Sequence, residues 1–83
     1  MSLNRFSYRV VTVQDLHVTF VNGKWNGKVD REQVDVATAF TSCPMIYEYL
    51  EVAGADGWEL VTVNDHRTAD SWLQNLYLKR SVY

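Results

Sequence analysis

Apolar and polar positions along the chain change period several times, and each change marks an element. From Phe6 to Val13 the sequence FSYRVVTV is rich in β-branched and aromatic residues and alternates in part with a period of two. That pattern predicts a strand. Phe6, Tyr8 and Val10 share one face, and Arg9, Val11 and Val13 share the other. A second strand is predicted over His17 to Val21, after which Asn22-Gly23 supplies the positive φ that a tight hairpin turn needs. Asn26-Gly27 offers the same chemistry four residues later, with Trp25 carried between the two, and periodicity does not choose between them. Asp30 to Phe40 reads two ways. Val34, Val36, Thr38 and Phe40 alternate as a strand would, whereas Asp30 with Gln33 has the spacing of a helix-capping box.

A helix follows. Ser42 is suited to cap its start, Pro44 to occupy its first turn and Gly54 to end it in a left-handed conformation. Ile46, Tyr49, Leu50 and Ala53 recur at the spacing of a single buried stripe, with Glu48 and Glu51 facing water. Asp56-Gly57 then turns into Trp58 to Val63, a strand by composition, with Trp58 and Leu60 on one side and Val61 and Val63 on the other. Asn64 to Ser71 is polar and reads as a loop. Trp72 to Arg80 is the closing strand, with Trp72, Leu76 and Leu78 on one face and Leu73 and Tyr77 on the other. The expected fold is α+β: a small antiparallel sheet of three to four strands packed against one main helix. Its order is strand, strand, unassigned segment, helix, strand, strand.

The segment Gly54 to Val61, GADGWELV, resembles the hallmark of the domain of unknown function 4177 family of small prokaryotic and phage proteins. Tyr8-Arg9-Val10-Val11 in the opening strand, a leucine-bearing helix before the glycines and Leu78-Lys79-Arg80 in the closing strand are similar to that family's layout. The stretch from His17 to Phe40 is longer than the family's usual connection and has no counterpart in it. The family has no established activity, so the resemblance implies a fold and no function. The residues themselves read as a helix-to-strand corner: glycines for turn geometry and a tryptophan dropped onto the core.

Composition narrows the function classes. With 83 residues the chain is one domain, and a chain of that size buries only about 60% of its unfolded surface. Charged residues at 22% and hydrophobic residues at 47% belong to a folded globular protein. A net charge of -2, with basic residues scattered, argues against a phosphate-binding surface. Nucleic acid is therefore not an expected partner, and an accessory role beside nucleic acid is the weakest alternative. No apolar run approaches the length of a membrane span and no signal-peptide pattern opens the chain. A single cysteine calls for no oxidising compartment, and the expected setting is cytoplasmic. Met1-Ser2-Leu3 is given no weight.

Cys43 at the start of the helix is the one enzymatic candidate, since a helix N-terminus can lower a thiol pKa. It would need a base, and His17 and His66 are the histidines available. The commoner role of such a cysteine is burial. Asp65, His66 and Asp70 match no established metal spacing, and neither a metal nor a cofactor is expected. A Ser42, His17 and Asp15 triad has no support in sequence order.

Three tryptophans and five tyrosines are the compositional outlier. Trp58 and Trp72 have apolar neighbours and read as core. Trp25 has none at strand spacing and is the first candidate for contact with a partner or ligand, with Tyr8 and Tyr77 as further interface candidates. Coverage gives the functional expectation. The strands are apolar on both faces, and one helix of about ten residues spans about 15 Å, too little to cover two sheet faces. If Asp30 to Phe40 covers the second face, the monomer is complete; if it does not, a second copy is the economical cover. The expected function is a non-enzymatic, self-associating interaction module, a homodimer or larger homo-oligomer, with a protein or small molecule as a further partner. A small thiol enzyme using Cys43 is the alternative.

Overall fold

A computed structural model describes residues 5–82; Met1-Ser2-Leu3 lie outside them. The chain runs β1 (Arg5–Gln14), β2 (His17–Val21), β3 (Lys24–Trp25), α1 (Val36–Thr41), α2 (Ile46–Ala55), β4 (Glu59–Arg67) and β5 (Trp72–Val82). All strands belong to one antiparallel sheet of order β3-β2-β1-β5-β4. This corrects the expected fold class: five strands with two short helices replace three or four strands with one main helix. The sheet dominates because β1 and β5 pair along ten residues each, from Arg5 opposite Val82 to Gln14 opposite Leu73.

Two hairpins build the first edge. Gln14 pairs with His17 across Asp15 and Leu16, whose φ angles of 50° and 71° are both positive, as a two-residue turn that follows strand twist requires. Leucine is an unusual choice there, because a left-handed conformation crowds its Cβ. Asn22 and Gly23, at 51° and 78°, make the second turn. The choice between the two Asn-Gly pairs thus falls on Asn22-Gly23. Gly27 serves close packing instead, since a Cβ there would run into the Trp25 ring and come within 2.6 Å of Ser42 Oγ.

Register assigns the faces, since directly opposed residues share a side. The first face holds Val11 opposite Leu76, Arg9 opposite Leu78 and Val13 opposite Val18. Against it α2 packs Ile46, Tyr49, Leu50 and Ala53, the stripe read from the sequence, and Trp58 completes the core. The second face carries Phe6, Tyr8, Val10 opposite Tyr77, and Thr12 opposite Phe20. A bulge at Val61 puts Leu60 and Val63 on the first face and Thr62, opposite Tyr77, on the second. The expected split of Leu60 from Val63 is thereby corrected.

The segment from Asp30 to Phe40 holds no strand, and its helix is not capped at Asp30. Asp30 closes a turn by accepting from the Glu32 N–H through its side chain and from the Gln33 N–H through its carbonyl. Asp35 then caps α1, accepting from the Thr38 N–H at 2.7 Å, which holds its carboxyl below the usual range. Ser42 is the C-cap of α1 and not the start of α2, whose N-cap is Met45, with Glu48 accepting from the Met45 N–H.

Gly54 stays helical, and Gly57, at φ 91°, is the left-handed residue that ends α2. The Gly57 N–H donates to Gly54 and the Trp58 N–H reaches back to Ala53, the paired bonds of a Schellman ending. Trp58 and Ala53 are both buried, supplying the apolar contact that accompanies it. GADGWELV is therefore a helix ending that delivers an indole to the core. Beyond it, β4 runs to Arg67, so the expected loop over Asn64 to Ser71 shrinks to a turn at Thr68 to Ser71. Polarity misled there because every residue of β4 is exposed, and an exposed edge strand needs no apolar residues.

Candidate functional site: the uncovered sheet face

The two helices lie on opposite faces of the sheet. α2 covers the first face over β1 and β2, while α1 sits on the second beside Phe20, Trp25 and Gln14. Six residues of helix cover only the β2–β3 end of that face. From Phe6 across Tyr8 and Val10 to Tyr77, the rest is open, and Tyr8 is 69% exposed. Leu73, half-buried, continues the row. Phe6 and Tyr8 stack at a tilt with centroids 6.4 Å apart, and the Lys79 ammonium stands 4.6 Å over the Phe6 ring. Glu59 lies directly opposite Lys79, so the patch is flanked by one charge of each sign. Of the residues singled out from sequence, the structure brings Tyr8 and Tyr77 together here, on adjacent strands and diagonal to one another.

The molecule's dimensions show how much surface is left. It measures 53 × 26 × 19 Å with a radius of gyration of 14.3 Å, where a compact chain of this length has about 12 Å. Its accessible surface is 6006 Å², against about 5,100 Å² for a typical monomer of this mass. The elongated shape thus leaves more surface in water than a compact monomer of this mass exposes. On β4, Leu60, Val61 and Val63 are also exposed, Leu60 and Val63 on the first face.

Trp25 lies elsewhere. Its ring meets Phe20 edge-on with centroids 5.5 Å apart, and its indole N–H donates to the Val29 carbonyl at 2.8 Å. The expectation that it lacks apolar partners is corrected: β3 pairs Trp25 with Phe20 across the strand. The signal missed in the sequence was the Asn22-Gly23 turn, which fixes that pairing once it is chosen.

Cys43 is buried between the helices, its thiol 3.7 Å from the Ala39 carbonyl, and burial pushes its pKa up. His17 contacts the Cys43 carbonyl through Nδ1, not the sulfur. Cys43 follows α1 and does not sit on the N-terminus of α2, which is why the activation expected from a helix start is missing. Among the described residues no group of three metal-ligating side chains converges. No helix of the described chain is long and apolar enough to cross a membrane.

Two arginines flank Trp58, Arg9 at 4.2 Å and Arg80 at 4.6 Å from its ring centroid. Arg9 donates to the Tyr49 hydroxyl and Arg80 to Asp56, so both guanidiniums are engaged in tying α2 and its end to the sheet. No family model, curated protein or solved structure matches the chain.

Proposed function

We propose that the protein is a non-enzymatic interaction module that self-associates through the second face of its sheet, over β1, β5 and β4. The single observation carrying this reading is the open row of Phe6, Tyr8, Val10 and Tyr77 that α1 stops short of. Left in water, a contiguous apolar row of that kind is an aggregation hazard; covered by a second copy in a two-fold pair, it becomes an interface. Face-to-face packing fits better than strand addition at the β4 edge. That edge carries Glu59, Asp65, His66 and Arg67 and a bulge at Val61, features that discourage a further strand. Membership of the domain of unknown function 4177 family is proposed on the Gly54 to Val61 segment, and a cytoplasmic setting on the single buried, unpaired cysteine. Size-exclusion chromatography with light scattering tests the self-association. The expected mass at tens of micromolar is twice the 9.6 kDa of the chain; a constant monomer mass up to high micromolar concentration removes the reading.

A further inference from the structure

A concavity lies between α1 and the β2–β3 hairpin, and Phe6, Tyr8, Val10 and Tyr77 are not part of its lining. Gln14, Phe20, Trp25, Arg31, Ala39 and Phe40 line about 290 Å³ there, close to the lower size of small-molecule sites. Its walls are aromatic and aliphatic. Its polar groups are few and of one kind. The Arg31 guanidinium lies 5.1 Å from the Phe20 centroid and 5.8 Å from that of Trp25. Among the described residues no carboxylate pairs with it, the one ion pair being Arg80 with Asp56. A guanidinium held over aromatic faces keeps its in-plane N–H groups free for a carboxylate. Gln14 accepts from the Thr19 hydroxyl at 2.7 Å through Oε1, which leaves its amide nitrogen as a donor. The rings are fixed from behind: Trp25 is anchored on Val29 and pressed against Gly27, where any side chain would collide with it. Such a site offers apolar walls, N–H donors and a positive charge, with no acidic group on its lining.

From this arrangement we infer that the pocket binds a small planar carboxylate, its ring among Phe20, Trp25 and Phe40 and its carboxylate on Arg31. Binding there is read separately from self-association, because Phe6, Tyr8, Val10 and Tyr77 are not among the residues that line this pocket. The test is a titration of the ¹⁵N-labelled chain with indole-3-acetate and, separately, with its uncharged isostere indole-3-acetamide. The readout is the Trp25 indole N–H, identified by its absence in Trp25→Phe, with the molecular mass measured on the same samples. Expected are saturable shifts of that signal with the acetate, binding at least about tenfold weaker with the acetamide, and a similar loss in Arg31→Met, since a charge-assisted contact is worth about tenfold or more. Equal binding of the two probes, shifts confined to Trp58 or Trp72, or no shift at millimolar acetate overturns the inference. Should Arg31→Met not fold, the two probes on the native chain decide alone. A monomeric mass with saturable Trp25 shifts would remove the self-association and leave this site standing.

Discussion

Replacing Tyr8 with alanine separates interface from fold, because the side chain does little within the monomer. It is 69% exposed and its one aromatic neighbour, Phe6, is tilted at 6.4 Å. A fully buried aromatic side chain removes about 150–250 Å² from water, so the part of Tyr8 still open is about 100–170 Å². At about 25 cal/mol per Å², covering all of it would contribute about 2.5–4 kcal/mol per protomer. Interface rims stay wet and the tyrosine hydroxyl needs a partner, so about 1.5 kcal/mol per protomer is the working figure. Two copies then lose about 3 kcal/mol, or about a hundredfold in dissociation constant. Sedimentation equilibrium across a concentration series measures it. Thermal unfolding of dilute Tyr8→Ala is expected to match the parent within about 0.5 kcal/mol, as for an exposed position. A dissociation constant changed by less than about threefold would refute the placement of Tyr8 in the interface.

Other outcomes follow from single residues. Gly57→Ala places a Cβ at φ 91° against Arg80, at 3.3 Å from its Cδ, and is expected to cost about 1–3 kcal/mol in chemical denaturation; an unchanged midpoint would contradict the helix ending described above. Leu16→Gly relieves a left-handed leucine that is partly exposed, and is expected to stabilise by about 0.5–1 kcal/mol, with a loss of stability as the contrary result. Asp35 has a depressed folded-state pKa, so its support of α1 is present above the ordinary carboxylate value and disappears as pH falls through the folded one; the Thr38 amide shift should follow that titration and should be flat in Asp35→Asn. The Cys43 thiol, raised by burial, is expected to alkylate only slowly in the native protein and with a midpoint above that of a free thiol; rapid labelling at neutral pH would return the thiol-enzyme alternative.

Much of the sheet was legible because β1 and β5 are long segments rich in aromatic, aliphatic and β-branched residues, and the faces assigned to Phe6, Tyr8 and Val10 against Val11 and Val13 hold in the structure. The α2 stripe was equally legible, since Ile46, Tyr49, Leu50 and Ala53 face one core. Three things were hidden. The second half of β4 is polar because it is uncovered, so alternation has nothing to report. α1 carries only one buried residue, Ala39, too little for a helical period. The helix boundaries moved because Ser42 and Gly54 have capping chemistry in the wrong place, while Gly57 has the backbone angle that ends α2. The open row was visible as two apolar sheet faces, but its extent depended on how far α1 reaches, which long-range packing decides.

Self-association through the second face requires a second copy to cover Tyr8, Val10 and Tyr77. Mixing a ¹³C-labelled with an unlabelled chain and recording isotope-filtered intermolecular NOEs probes those atoms themselves. Expected are contacts from the labelled Val10 methyls to tyrosine rings of the unlabelled copy. Their absence in a sample of dimeric mass, or contacts arising only from Leu60 and Val63, would place the interface elsewhere and rule out this face.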